Sequence, residues 1–232
     1  MNKTRIEWCD YSINPVKGLC PMACSYCYAR AMYKRFKWNP EIRYIGRTKL
    51  FDEMLKIPRD KNQRIFIGST IELFGDWVEP YWMNDIFEVV NAFSFFTFIF
   101  LTKQPENLPK WSPFPENCWV GVTAADEHFA AVGLDNLKSV DAKVKFLSVE
   151  PLLHWVDATF WGRWFKDIDW LIIGQQTPVS SKTQPEIEWI REIVKAADKA
   201  GIPVFLKDNL RSALDLLSNI PLRQEFPMPS GR

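Results

Sequence analysis

VKFLSVEP (Val144–Pro151) decides the fold. A short apolar run ends in Ser148 and Glu150 and is stopped by Pro151. The run is brief and rich in Val, Phe and Leu, which reads as a strand buried on both faces rather than a helix. The same pattern recurs in RIFIGST (64–70), FIFLTKQ (98–104), CWVGVTAAD (118–126), DWLIIGQQT (169–177) and IPVFLKDN (202–209). In each, small or polar residues close an apolar run. Helical periodicity fills several of the gaps. Trp82, Ile86, Val89, Val90 and Phe93 recur at helical spacing after Pro80. Ile187, Ile190, Val194 and Ala197 do so after Pro185, and Gly201 closes that helix. Leu134 and Leu137 mark a shorter one. A first strand within Ile6–Ile13 makes seven strands in all.

Strands alternating with helices predict βαβ units and a parallel sheet. The expected fold class is α/β: a partial or nearly closed (β/α) TIM-like barrel of parallel strands. An open doubly wound sheet is the alternative. The 232 residues suit one barrel domain over 1–232. Its Pro-rich end, 220–232, is expected to form an irregular tail. Either architecture gathers function at the C-terminal ends of its strands. Those ends carry Ser69, Thr70, Thr102, Lys103, Thr123, Ser148, Glu150, Gln175, Gln176, Lys207 and Asp208. Glu150 and Lys207 directly continue buried runs, where a charge without a partner is costly. A functional role outweighs simple strand termination for these two. For each lysine the competing reading is an ion pair at the barrel mouth.

Apolar residues make up 47% of the chain and charged residues 25%, enough to bury a sizeable core. MNKTRIEWCDYS (1–12) has no apolar run, so no signal peptide is expected. FSFFTFIFL (93–101) is too short to span a bilayer. A cytoplasmic location and no membrane partner follow as expectations. Formal net charge is +1, but it is unevenly spread. From Arg30 to Arg64, eleven Lys and Arg stand against four Asp and Glu, with Tyr33, Phe36, Trp38 and Tyr44 interleaved. Such a mixture suits nucleic acid, and a solvated helical face explains it equally well.

GLCPMACSYCYAR (18–30) holds three of the five cysteines in a C-x3-C-x2-C spacing: Cys20, Cys24 and Cys27. A disulfide would leave an odd thiol and does not persist in a reducing cytosol. Structural zinc needs four closed ligands. Cys9, Cys118, His128 and His154 do not fall at a zinc-finger spacing from the cluster. A [4Fe–4S] cluster on three thiolates leaves one iron open for a further ligand. The motif follows the first strand and leads into a helical stretch, Tyr28–Phe36, at the edge where the polar strand ends gather.

This motif resembles that of the radical S-adenosylmethionine (SAM) superfamily. Within it, the chain is similar to a family first noted in phage genomes and found also in bacteria and archaea. The likeness rests on IEWCDYSINPVKG (6–18), CYAR (27–30), GSTIELFGDWV (68–78), LTKQPENL (101–108), CWVGVTAAD, FLSVEPLL (146–153), DWLIIGQQT and VFLKDNL (204–210). It covers nearly the whole chain. The resemblance implies a [4Fe–4S] cluster on Cys20, Cys24 and Cys27 whose open iron binds SAM. It implies reductive cleavage of SAM to a 5′-deoxyadenosyl radical that abstracts hydrogen from a substrate. Tyr26 would then lie near the adenine, and Gly68, Ser69 and Thr70 would hold the methionine amino group. Glu72 or Asp76 could add charge there. Ser148 and Glu150 would meet ribose or substrate hydroxyls. Lys103, with Thr102 before it, and Lys207 would meet a carboxylate or an anionic substrate. Two departures stand out. Cys9 replaces a common Thr and reads as a passenger. Many relatives have Gly-Gly-Glu-Ser where this chain has Gly174, Gln175, Gln176 and Thr177, so a role of that Glu is either absent here or taken by the amide of Gln176.

No residue is assigned to the substrate step. Candidate partners are a flavodoxin- or ferredoxin-like reductant, a nucleic acid on the 30–64 segment, and a partner protein completing the site. Nucleic acid modification or repair is one expected reaction class. Direct reversal of base damage, the reaction of a thymine-dimer lyase in the same superfamily, belongs to it. A non-catalytic iron–sulfur or zinc binding module is the alternative from a different class.

Overall fold

The computed structural model describes residues 2–155, 165–211, 214 and 221–227. Strand β1 (Asn2–Lys3) leads through a turn to β2 (Tyr11–Ile13). Two further short strands, β3 (Val16–Lys17) and β4 (Arg43–Tyr44), bracket helix α1 (Tyr28–Phe36). Helix α2 (Arg47–Leu55) leads to β5 (Arg64–Ile67), α3 (Pro80–Ala92) and β6 (Thr97–Thr102). Next come β7 (Cys118–Ala124), α4 (Glu127–Leu137), β8 (Val144–Val149), β9 (Trp170–Ile173), α5 (Ile187–Ala200) and β10 (Val204–Leu206). Among the described residues, no helix is long and apolar enough to cross a membrane.

Eight strands form one sheet in the order β1-β2-β5-β6-β7-β8-β9-β10, with β1 antiparallel to β2 and the other seven parallel. From β2 onward the order never reverses. A doubly wound sheet requires a reversal at its switch point, so that alternative falls. The sheet curls into a half-barrel, the partial TIM-like form of the α/β expectation. β3 and β4 make a separate antiparallel ribbon.

Side chains alternate across each strand. One set, including Ile65, Phe98, Phe100, Val120, Val122, Leu147, Leu171 and Leu206, packs with the helices. The other set, Phe66, Ile99, Trp119, Phe146, Trp170, Ile172 and Phe205, fills the concave side, and Trp8 from the turn before β2 joins it. Gly121 makes this interior packing possible, since a Cβ there would lie 2.4 Å from the Phe146 ring. Residues 221–227 close the base. Leu206 N–H donates to the Arg223 carbonyl at 2.7 Å, and Trp170 Nε1 donates to the Glu225 carbonyl at 2.8 Å. Phe226 packs 5.5 Å from Trp170 and 5.3 Å from Phe205. Across the barrel base, the Arg64 guanidinium on β5 covers the Phe226 ring at 3.8 Å. The rest of the 220–232 tail lies outside the described residues.

The first strand is shorter than Ile6–Ile13. Cys9 N–H turns back to the Ile6 carbonyl at 3.3 Å, and Asp10 accepts from Arg64 N–H at 2.8 Å. Pairing with β5 therefore starts only at Tyr11. Between β6 and β7 the chain makes two single 3-10 turns rather than a helix.

Candidate active site

Strand alternation sorts the polar ends. Lys103, Thr123, Ser148, Glu150, Gly174 and Lys207 fall in register with the concave side, above the aromatic floor. Thr102 falls in register with Phe98 and Phe100 and is buried on the helix side. The barrel interior is therefore apolar at its base and polar at its mouth.

The cysteine loop lies at this mouth. All three thiols are free and partly exposed. Ala23, between Cys20 and Cys24, holds a left-handed φ of 51°, a conformation costly for a residue with a Cβ. Cys27 caps α1, and its Sγ accepts from Arg30 N–H at 3.4 Å. Cys20 Sγ accepts from Glu72 N–H at 3.5 Å, and Arg30 Nη2 donates to the Cys20 carbonyl at 2.6 Å. Burial pushes the Cys20 thiol above its ordinary value. Among the described residues, no three Cys, His, Asp or Glu side chains gather closely enough to hold one metal ion.

Two aromatic residues tie the loop to the strand ends. Tyr28 hydroxyl donates to the Ser69 carbonyl at 2.7 Å. The Lys103 ammonium lies 5.4 Å from the Tyr26 ring centroid. Burial, followed by the Cys24 charge, pushes Tyr26 up to about 12. Lys103 Nζ has no acidic partner among the described residues. Burial lowers it below the ordinary lysine value, and Cys24, Glu72, Glu150 and Cys27 offset this only in part.

The turn after β5 is built for close approach. Gly68 has φ +85°, and a Cβ there would collide with Leu73 at 2.5 Å. Asn14, at the end of β2, fixes the turn. Its Oδ1 accepts from Thr70 N–H at 3.0 Å, and its Nδ2 donates to Ser69 Oγ at 3.1 Å. Glu72 is a buried brace rather than a residue of the mouth. Its carboxylate accepts from Phe74 N–H at 3.0 Å, Thr102 hydroxyl at 2.7 Å and Lys103 N–H at 2.8 Å. Burial pushes its carboxyl up despite these bonds. Asp76 is exposed.

On the opposite wall, Lys207 pairs with Glu150 and lies 3.6 Å from Glu7. Burial alone would lower Lys207, and these two carboxylates outweigh it and raise it. Lys207 thus realises the ion-pair reading, whereas Lys103 does not. Gly174 lets the pair pack, as a Cβ there would stand 2.9 Å from Lys207 and 3.2 Å from Glu150. Below them, the Ser148 hydroxyl is fully buried with no hydrogen-bond partner among the described residues. Gln175, not Gln176, is the locked amide. It is buried, and its backbone and side chain both bond to Asn209. Gln176 stands half-buried at the rim.

The structure thus brings together the cysteine loop, Tyr26, the 68–70 turn, Lys103, Ser148, Glu150 and Lys207, and leaves Thr102 behind the sheet. Asn14, Glu7 and Asn209 are not among the residues that the sequence picks out. Asn14 sits before Pro15 just past an apolar run, a turn signal that marks the position but not the partner.

The chain matches a family model, described as "Protein of unknown function (DUF5131)", over residues 3–212. No curated protein matches it. Among solved structures it is similar to a mutant of spore photoproduct lyase with dinucleoside spore photoproduct. The TM-score is 0.63 at 14% identity, over 89% of this chain and 79% of that one. A second mutant of the lyase gives 0.62 at 13% identity, over 89% and 79%. A third, with bound AdoMet and dinucleoside spore photoproduct, gives 0.54 at 14% identity, over 85% and 63%. At such identities the likeness is one of fold.

Proposed function

The chain belongs to the DUF5131 family of proteins of unknown function, and from that premise we propose that it is a radical SAM enzyme of the phage-type branch. In this reading Cys20, Cys24 and Cys27 hold a [4Fe–4S] cluster. One observation carries the proposal: three free thiols share a single loop over the polar mouth of a partial barrel. A fold shared with a lyase solved with bound AdoMet supports it. The donor set fits the cluster. Three thiolates leave one iron open, and the Glu72 and Arg30 N–H groups already point at two of the sulfurs.

When bound, the cluster supplies the electron that cleaves the sulfonium of SAM. The chain's residues bind and orient. Lys103 offers an unpaired ammonium to a carboxylate. The Gly68–Thr70 turn offers polar backbone to an amino group, and Asn14 holds it rigid. Ser148 and Glu150 offer a hydroxyl and a carboxylate to ligand hydroxyls. The Tyr26 ring offers a flat face to a purine. An external reductant of flavodoxin or ferredoxin type is the implied partner.

Anaerobic reconstitution followed by iron and sulfide analysis tests the cluster, and dithionite with SAM tests the chemistry. About four irons and four sulfides per chain with broad visible absorption are expected. Cys20→Ala, Cys24→Ala and Cys27→Ala should each abolish both the absorption and SAM cleavage. One colourless zinc per chain would overturn the proposal in favour of a binding module. A full cluster that never cleaves SAM would do so in favour of a non-catalytic iron–sulfur protein.

A further inference from the structure

The basic 30–64 segment divides in three dimensions. Most of its later cations are engaged elsewhere. Arg47 pairs with Glu88, Lys56 with Glu53 and Arg64 with Asp10, while Arg59 covers Phe93. The earlier cations are different. Lys34, Arg35 and Lys37 are exposed and have no acidic partner among the described residues. Along the chain they flank Phe36 and Trp38, whose rings stack 5.6 Å apart at 23° and stay 52% and 43% exposed. The Arg35 guanidinium lies 5.3 Å from the Phe36 centroid.

This ledge is held in place before any ligand arrives. Tyr33 packs edge-on against Trp38 at 5.3 Å, and its hydroxyl accepts from Gly18 N–H at 2.8 Å. Leu19 N–H donates to the Pro40 carbonyl at 2.9 Å. Both anchors lie beside the cysteine loop. Helix α1 starts at its Cys27 cap and ends at Phe36, so the ledge stands about 13 Å along the helix from that cysteine.

We infer that the α1 ledge is a binding site for single-stranded nucleic acid, with bases stacked on Phe36 and Trp38 and phosphates on Lys34, Arg35 and Lys37. Flat aromatic faces among unpaired cations are what a sequence-tolerant strand groove requires. A membrane-surface helix instead needs a long apolar face. α1 is too short: it has nine residues, and of its apolar stripe Ala29 is buried and Met32 and Tyr33 are half-buried, which leaves Phe36 as its exposed end. A strand on the ledge runs toward the barrel mouth and presents a nucleotide there. The inference deepens the radical reading by naming its substrate class, and rests on it only for what happens to that nucleotide. Binding itself does not depend on it.

The test uses the reconstituted full chain and labelled oligo(dT) and oligo(U), read by fluorescence anisotropy across a salt series. The DNA and RNA arms distinguish the two sources of the same chemistry. Trp38→Ala is expected to weaken binding roughly tenfold. The triple variant Lys34→Gln, Arg35→Gln, Lys37→Gln is expected to reduce the log–log salt slope by about two. It disturbs none of the packing around Tyr33, so it remains informative should Trp38→Ala loosen the fold. Lys195→Gln on α5 should change neither quantity. Unaltered oligonucleotide binding in both ledge variants overturns the inference. So does preference for blunt duplex, or binding to anionic vesicles but not to oligonucleotides. SAM cleavage is scored in the same preparations. Binding that depends on the ledge without any cleavage overturns only the radical reading, and cleavage without such binding overturns only the ledge.

Discussion

Gly121 and Phe146 face each other inside the barrel on adjacent strands. Gly121→Ala should cost about 1–3 kcal/mol in urea unfolding, because the new Cβ meets the ring with no room to yield. Adding Phe146→Leu should restore part of that loss, the coupling expected of residues in contact. Lys103 tests the proposed function at a single residue. Its ammonium has neither the ion pair nor the hydrogen bonds that hold Lys207, and its own backbone N–H is committed to Glu72. Lys103→Met should therefore leave the fold and the iron content unchanged. Under the proposed function it should raise the SAM concentration needed for half-maximal cleavage roughly tenfold, the loss of one charge-assisted bond.

Asn117 shows how elements are joined. Its side-chain amide donates to the Val90, Phe93 and Phe96 carbonyls at 3.1, 3.3 and 3.1 Å, satisfying the C-terminal end of α3 as the chain enters β6. Asn117→Ala should destabilise the protein by about 1–3 kcal/mol, read from the denaturant midpoint. The main strands were legible in the sequence because each apolar run is short and ends in polar residues. So were α1, α3 and α5, which carry helical spacing or a clear stop such as Gly201 with its φ of 71°. Helix α2 carries helical spacing too, in Leu50, Phe51, Met54 and Leu55, but an equal number of charged residues and its lack of a clear stop mask it. The β3–β4 ribbon was not legible: two residues per strand carry no periodicity. The site divides the same way. Strand-end residues could be read from the strand pattern alone. Asn14, Glu7 and Asn209 could not, because each acts on a turn brought near it only by the sheet order.

At the scale of the whole molecule, the 221–227 strap joins the last strands to β5 across the barrel base. Arg223 holds the Glu225 carboxyl below its ordinary value of 4.5, and Val204 N–H adds a bond at 2.9 Å. A depressed carboxyl stabilises the fold above its ordinary value, and that contribution is lost as pH falls through the depressed one. Glu225→Gln should thus be less stable than the parent at neutral pH, by under about 1 kcal/mol because the group is partly exposed. In thermal melts the difference should shrink as pH falls through the depressed value and vanish once the Glu225 carboxyl is protonated. The aromatic floor above this strap ties distant parts of the chain to one another. Trp8 near one end and Phe226 near the other join the same interior cluster. Loss of the Phe226 ring should therefore loosen the first strand as well as the last ones, read as faster amide hydrogen exchange at both.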